Sequence, residues 1–217
     1  MRFGFEREYF LCNILGEYVA VPPELPKDEC GYLVEARGED SSDPLKAAFL
    51  LLAEEHKLRQ QAETLGLTLA HVDFAKLSPA FRQQMLRTHG KPQYPAFRGN
   101  IYGKDYRPTD TLARAGVHVH FSDTEKIETC VYKWDSGTFK KSDTTMVSRP
   151  RFIDYATIIQ KLDKRFRKQI LAARRLPGSY EMGKFHGGFE YRSLPATINV
   201  IEVAVVLAEI KPWENVV

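Results

Sequence analysis

The sequence predicts a single α+β domain over residues 1–217, built on a curved, mostly antiparallel sheet with helices on one face. Four short stretches alternate charged and apolar side chains, which is typical of strands with one packed face. Three longer stretches repeat apolar residues at helical spacing, and such helices need an apolar surface to cover. A chain of 217 residues can bury a sizeable core, and this length favours one large domain over two small ones.

The composition is that of an ordinary soluble protein, with 43% hydrophobic and 27% charged residues. The chain has no run of about 18 apolar residues and no apolar signal-peptide core, so we expect no membrane-spanning segment. Three widely spaced cysteines without a CxxC pair argue against a disulfide framework and a zinc ribbon, and they favour the cytoplasm. The net charge of +3 is too small to indicate a nucleic-acid-binding protein by itself, but it does not exclude one.

The first third of the chain is predicted to form three strands and a long helix. Strands are expected at Arg2–Leu11, Glu17–Val21 and Tyr32–Arg37, with prolines forcing a loop between the last two. Apolar residues then recur at helical spacing from about residue 45 to 65. Gly66 is the expected end of this helix, because glycine readily adopts the left-handed conformation found at helix C-termini.

The next segment is predicted to contain a strand, a second helix and a long loop. Leu67–Phe74 alternates enough for a strand, and Ser78 followed by proline predicts the start of a helix that runs to about His89. Gly90–Pro108 is rich in proline, glycine and aromatic residues. We expect it to form a lid, because irregular loops of this length are commonly functional.

A strand with two histidines is predicted in the middle of the chain, at Ala115–Ser122. Lys126–Trp134 alternates as its expected hairpin partner across the short turn between them. The polar segment Asp135–Ser148 is expected to be a surface loop.

The last third is predicted to contain a long amphipathic helix at 151 to 173, the glycine-rich segment Leu176–Gly188, the strand Phe189–Leu194 and an apolar helix at Ala196–Ile210. The outer face of the first helix is strongly basic. A solvated surface is the simpler interpretation, and an electrostatic footprint for polyphosphate or nucleic acid is the alternative. The bases on this face are Lys161, Lys164, Arg165, Arg167 and Lys168.

Four strands each place two polar side chains on one face, and these faces are expected to converge. Crowded carboxylates need a cation to hold them together, and neutral imidazole is a common metal ligand. Each pair alone is better explained by a solvated strand, a core histidine or a structural ion pair, whereas the four together indicate a metal site. The pairs are Glu6 and Glu8, Glu35 and Arg37, His118 and His120, and Glu190 and Arg192.

A second group of bases lies around the glycine-rich segment that precedes the last strand. Arg174, Arg175 and Lys184 combine fixed cations with flexible backbone, which suits phosphate binding. The segment lacks the Gly-Lys-Ser/Thr ending of a Walker A loop, so any ATP site would not be that of a P-loop NTPase.

The order of the polar strands resembles that of the glutamine synthetase-like carboxylate-amine ligases, and most closely their small phage-type and amidoligase branch. The resemblance spans nearly the whole chain. It implies a glutamine synthetase catalytic-domain-like fold, ATP and Mg²⁺ or Mn²⁺ as cofactors and, for a phage-encoded enzyme, the host cytoplasm. The matching stretches are Glu6-Arg7-Glu8, Gly116-Val117-His118-Val119-His120 and Glu190-Tyr191-Arg192.

The resemblance also implies roles for individual residues. Glu6, His118 and Glu190 would hold one metal ion, and Glu8 would help to hold another. Glu35 looks like an additional metal ligand. Arg192 would contact the transferred phosphoryl group or carboxylate. The resemblance thus implies three catalytic residues, Arg192, Glu190 and Glu8. The candidate nucleotide contacts are Arg37, Arg174, Arg175, Lys184 and His120, of which His120 could instead line the substrate pocket.

The expected activity is ATP-dependent amide formation through an acyl phosphate, with a small-molecule or peptide carboxylate and an amine as substrates. A metal-dependent hydrolase that uses the same glutamates and histidines is the alternative from another reaction class. A non-catalytic binding protein of the same fold is the third possibility. The chain is much shorter than glutamine synthetase, so the substrate-recognition insertions and oligomeric ring of that enzyme need not carry over.

Overall fold

One long strand, β1 (Arg2–Cys12), lies inside the main sheet and pairs with four other strands. The computed structural model describes residues 1–27, 31–89, 98–104, 113–150, 153–182 and 188–210. Within these ranges the other strands are β2 (Tyr18–Val19), β3 (Leu33–Arg37), β4 (Thr68–Ala70), β5 (Phe74–Ala75), β6 (Arg98–Asn100), β7 (Ala113–Arg114), β8 (Gly116–Ser122), β9 (Thr124–Asp135), β10 (Thr138–Pro150), β11 (Ser179–Met182) and β12 (Phe189–Pro195). The helices are α1 (Pro44–Thr64), α2 (Pro79–His89), α3 (Tyr155–Ala172) and α4 (Val200–Glu209).

The main sheet is antiparallel at every strand pair described. Its order is β2-β1-β8-β12-β11-β6, and β3 and β4 also pair with β1. The histidine strand β8 therefore lies between the two glutamate strands β1 and β12. The prediction of a mostly antiparallel sheet in a mixed α and β fold is confirmed.

The hydrophobic core lies on one face of this sheet. Odd-numbered residues of β1 and β8 point into it, and Phe5, Tyr9, Val117 and Val119 are almost completely buried. Burying one such side chain stabilises the fold by about 1.5–3 kcal/mol. The three helices predicted to back the sheet pack on this face. They contribute Leu51 and Leu58 from α1, Ile159 and Phe166 from α3, and Val203 and Leu207 from α4.

The end of α1 and the start of α2 follow the predicted signals, and Asp43 caps the start of α1. The Asp43 side chain accepts a hydrogen bond from the Leu45 N–H at the start of α1. Gly66, just past the end of α1, has φ +70°, a conformation that a residue with a Cβ adopts only with strain. The Ser78 hydroxyl accepts from the Phe81 N–H at the start of α2.

The predicted hairpin between the histidine strand and Lys126–Trp134 is wrong. β9 pairs with β10, so the predicted surface loop Asp135–Ser148 is mostly a strand. Ser136 and Gly137 both have positive φ, as a two-residue hairpin turn requires. The alternation of Lys126–Trp134 correctly indicates a strand, but it does not identify the strand with which that segment pairs.

Smaller differences concern short elements. The predicted strand Leu67–Phe74 is split into β4 and β5, and α4 begins at Val200, four residues after its predicted start. β6 and β11 form inside two segments that were expected to be loops. Most of the predicted lid, residues 90–97 and 105–108, lies outside the described residues. No helix described here is long and apolar enough to cross a membrane.

Candidate functional site

The polar side chains of four strands meet on the sheet face opposite the hydrophobic core. Alternation directs the even-numbered residues of β1 to this face, and the register aligns them with their neighbours. Glu6 lies opposite His118 of β8 and opposite Arg37 of β3. Glu190 of β12 lies opposite His120. The structure therefore brings together the residues that the sequence placed on separate strands.

Glu6, His118 and Glu190 form the centre of the site. His118 Nδ1 lies 2.6 Å from Glu6 Oε1 and 3.0 Å from Glu190 Oε1. Glu6 and His118 are only 3% and 1% exposed. One ligand atom from each of the three residues lies within 4.8 Å of the others, so a single ion could contact all three.

Glu8 and Glu35 lie beside this centre. Glu8 Oε2 is 3.7 Å from His118 Nε2, and Glu8 is directly opposite Glu35 across the β1–β3 pair. Burial raises the pKa of Glu35 first, the nearby Glu6 charge raises it further, and despite Arg37 it reaches about 7. Glu8 therefore adds negative charge next to His118, and Glu35 extends the cluster toward Arg37.

Arg37 and Arg192 flank the site. The Arg37 guanidinium bridges Glu6 Oε2 at 2.8 Å and Glu35 Oε1 at 2.6 Å, and its side chain is 67% exposed. Arg192 is mostly buried and contacts Glu190 Oε1. One guanidinium is thus fixed within the site and the other lies at its rim.

Glu181 belongs to the site, although the sequence did not indicate it. It lies directly opposite Glu190 across the β11–β12 pair, and its Oε2 is 3.5 Å from Arg192 Nη1. Two glutamates facing each other repel, and the Arg192 guanidinium beside both of them offsets that repulsion. β11 has only four residues, too few to show the alternation that revealed the other site strands.

The electrostatics of the metal-free site follow from this crowding. Burial and the Arg192 charge lower the pKa of His118, but Glu8 and Glu190 outweigh them and raise it to about 9. Burial raises the pKa of Glu190, whereas His118 and Arg192 together lower it to about 2. Burial also opposes ionisation of Glu6, yet its contacts with both histidines hold its pKa well below the ordinary value. His118 is therefore protonated at neutral pH and both partner carboxylates are ionised.

His120 lies at the open side of the same face. Its side chain is 40% exposed, and its Nε2 atom lies 2.8 Å from Glu6 Oε2. This contact is one of those that keep the Glu6 carboxyl ionised. His120 therefore holds Glu6 from the open side of the site, opposite to the buried His118.

Two of the three predicted phosphate-binding bases, Arg174 and Arg175, make other contacts. Arg175 donates to the backbone carbonyls of Ala115 and Arg192, and a Cβ on Gly116 would come within 2.5 Å of its guanidinium. Glycine at the first position of β8 thus leaves room for this guanidinium, and the two hydrogen bonds give Arg175 a structural role. The exposed Arg174 has its guanidinium 5.2 Å from the Phe74 ring centroid. Lys184 lies outside the described residues.

An apolar cluster borders the site beyond Glu8 and Glu35. Phe10 and Leu33 follow them on the same face of β1 and β3, and both are buried. Alternation alone did not reveal this change from charged to apolar along one face. The cluster also contains Ala75, Leu77, Ala113, Ala115 and Ala196, with Tyr18, Tyr32, Val72 and Phe81 packed against it.

A buried ion pair supports β1 from the opposite face. Arg7 Nη1 lies 3.2 Å from Glu55 Oε1 of α1, and Arg7 Nη2 donates to the Ile198 carbonyl before α4 at 2.9 Å. Arg7 therefore ties two helices to the segment of β1 that carries Glu6 and Glu8. The sequence suggested a largely apolar face here and did not indicate this pair.

Comparisons with known proteins add no further assignment. No protein-family model, curated protein or solved structure matches the chain.

Proposed function

We propose that the protein is an ATP-dependent carboxylate-amine ligase whose site holds a divalent cation. The observation that carries the proposal is the convergence of Glu6, His118 and Glu190, with ligand atoms within 4.8 Å of one another, between Arg37 and Arg192. Carboxylates and guanidiniums around one position suit a substrate that carries both phosphate and a metal ion. The resemblance to glutamine synthetase-like ligases supports the same activity.

The donor set fits Mg²⁺ or Mn²⁺. Both ions favour carboxylate oxygen, and imidazole is a common ligand of transition metals such as Mn²⁺. The site has five carboxylates, those of Glu6, Glu8, Glu35, Glu181 and Glu190, against two guanidiniums. This excess of acid over base is what a divalent ion would offset. Glu8 lies 3.7 Å from His118 Nε2 and directly opposite Glu35, and these two carboxylates would help to hold a second ion.

The two arginines have different tasks in the proposed reaction. Arg192 is held by Glu190 and Glu181, so its planar guanidinium group is oriented before a substrate binds. Arg37 is exposed at the rim and can turn toward an incoming phosphate or carboxylate. Fixed charges that neutralise the transferred phosphoryl group are the main source of catalysis in phosphoryl transfer.

A ligase of this class moves the ATP γ-phosphoryl group to a carboxylate and releases ADP, after which an amine attacks the acyl carbon and phosphate leaves. The apolar cluster around Phe10 and Leu33 provides a dry wall on one side of the site. Exclusion of water is required because water would hydrolyse the acyl phosphate. The substrate class is a small-molecule or peptide carboxylate together with an amine.

ATP-to-ADP conversion across a panel of amino acids, peptides and amines tests the proposal. We expect conversion to require both an acid and an amine. It should be lost in Glu190→Gln but retained in Glu63→Gln. Glu63 is exposed on α1 and is the matched control for the loss of one carboxylate. Metal-dependent hydrolysis without ATP would instead favour a hydrolase, and an intact fold that binds neither metal nor nucleotide would indicate a non-catalytic protein.

A further inference from the structure

The outer surface of α3 is basic and contains no exposed acid. Lys161, Lys164, Arg165, Arg167 and Lys168 are all exposed, and we call these five residues the α3 basic face. The helix has one acidic residue, Asp163, which is 1% exposed and accepts a hydrogen bond from the Tyr191 hydroxyl at 2.6 Å. That carboxylate is buried beneath the helix, where it interacts electrostatically with Arg167 but with no other base of this face.

The spacing of these bases makes them repel one another. Residues three and four apart are neighbours on a helix, and like charges at these spacings destabilise it. The i,i+4 pairs are Lys161 with Arg165 and Lys164 with Lys168, and three further pairs are separated by three residues. Among the described residues, only Arg165 of this face has an ion pair, with Glu202 of α4 at 2.8 Å. A helix under selection for stability alone would carry acids between these bases.

The other long helix shows that alternative. α1 carries three bases and three acids, and Lys57 pairs with Glu54 at 2.5 Å. In α3 the five bases and one acid give a charge of +4. The whole chain has a net charge of +3, so everything outside α3 sums to −1. The net positive charge of the chain thus comes from α3.

We infer that the α3 basic face binds the phosphate backbone of nucleic acid. From Lys161 to Lys168 the bases extend for about 10 Å along the helix axis, which matches several successive phosphates better than one small anion. The exposed positions between 160 and 169 are all polar, and Leu171 at the end of α3 is the one exposed large apolar side chain of this helix. A single aliphatic residue beside five bases is less than the cluster of apolar or aromatic anchors that protein interfaces use. Nucleic acid therefore fits better than an acidic protein.

The buried side of α3 argues against a membrane surface as the partner. Its apolar residues, including Ile159, Leu162 and Phe166, are already packed in the core and cannot enter a lipid layer. α3 also packs against β12 from the core face, whereas Glu190 and Arg192 point to the other face. Nucleic acid on α3 would thus bind away from the candidate active site, as a docking partner.

This inference is tested with a fluorescent random-sequence DNA duplex of about 20 base pairs. Its binding to the protein is measured by fluorescence anisotropy at about 50 and 200 mM salt. Contacts to phosphate only predict little sequence preference and a slope of log K against log salt of about −3 to −4. The triple variant Lys161→Gln, Lys164→Gln, Lys168→Gln is expected to bind at least about 10-fold more weakly at low salt, with a slope reduced by about 2 to 3.

The matched control removes the same charge from α1, through Lys46→Gln, Lys57→Gln and Arg59→Gln, all exposed positions. It is expected to bind within about 2-fold of the parent protein. An equal loss of affinity in both variants would show a net-charge effect and overturn the assignment. No binding at low salt, or tighter binding to poly-glutamate than to the duplex, would also overturn it. Thermal unfolding shows that each variant is folded, and the α3 variant is expected to melt higher than the parent because repulsion is removed.

Discussion

Two buried charge clusters lie on opposite faces of β1, and they differ in charge balance. On the core face, Arg7 and Glu55 form one acid-base pair, and Arg7 also donates to the Ile198 carbonyl. On the other face, five carboxylates surround two guanidiniums and His118. The core-face pair neutralises itself, whereas the site cluster retains excess negative charge. A self-neutralising pair needs nothing more from outside, but an unbalanced cluster is suited to an incoming cation.

The difference has a physical consequence for single substitutions. Removing one member of a neutral buried pair leaves its partner charged and unpaired, which is strongly destabilising. Removing one carboxylate from an acid-rich cluster relieves repulsion and offsets part of the lost contacts. The first cluster should therefore respond mainly in stability, and the second mainly in ligand binding and turnover.

The largest effect is expected at the core-face pair. Glu55→Leu should lower the free energy of unfolding by about 3–5 kcal/mol, because the Arg7 charge then has no acidic partner in the core. Urea unfolding measures this change. The double variant Arg7→Met, Glu55→Leu should recover most of the loss, since an apolar pair replaces a buried ion pair at little net cost. A double variant as unstable as the single one would show that helix packing, rather than charge balance, determines the effect.

A smaller effect on activity, with little effect on stability, is expected for Arg192→Lys. Lysine keeps the charge near Glu190 and Glu181 but loses the planar fork, so turnover should fall about 10- to 100-fold while ATP binding changes less. Single-turnover ATP cleavage and the melting temperature are measured together. A destabilised protein whose folded fraction retains normal turnover would make Arg192 a structural partner of the glutamates only.

A fall in the free energy of unfolding with rising pH is expected for the metal-free protein. The pKa of Glu35 is raised to about 7 and that of His118 to about 9. A group whose pKa is raised by folding contributes its full stability at a pH below its pKa in the unfolded chain. That contribution is lost as the pH rises through its pKa in the folded protein. Unfolding free energy should therefore fall between about pH 5 and pH 9.

Urea unfolding of the metal-free protein between about pH 5 and pH 9 measures how the free energy of unfolding depends on pH. Glu35→Gln should flatten the part below about pH 7, and His118→Gln the part above it. The pKa of Glu190 is lowered to about 2, so its contribution has the opposite sign and is lost only under acid conditions. If the unfolding free energy of the parent and of both variants depended on pH in the same way, the raised pKa values of Glu35 and His118 would be contradicted.

Much of the site could be predicted because it lies on regular strands. Two-residue alternation alone placed Glu6, His118 and Glu190 on polar faces, and strand order then decided that they meet. The sequence could not show which strand neighbours which, and the wrong hairpin partner for β8 resulted from this limit. Glu181 was missed because β11 is too short to show a pattern.

The core-face pair could not be predicted for a different reason. A single arginine on an otherwise apolar strand face does not identify its partner, and Glu55 lies 48 residues further along the chain. Glu55 belongs to the helical stripe that also carries Leu51 and Leu58, so its burial follows only from the packing of α1 on β1. Long-range side-chain pairing is set by tertiary packing, which local patterns do not specify.

The most direct test of the unbalanced site cluster is the binding of Mn²⁺ to the metal-free protein. Electron paramagnetic resonance measures this binding with and without a non-hydrolysable ATP analogue. The parent protein should bind Mn²⁺, most tightly with the nucleotide present, because such ions rely partly on substrate phosphates. Glu190→Gln should weaken this binding by at least about 10-fold, whereas Arg7→Met, Glu55→Leu should leave it nearly unchanged. Equal Mn²⁺ affinity in the parent protein and Glu190→Gln, or no binding to either, would contradict the assignment of a cation site to this face of the sheet.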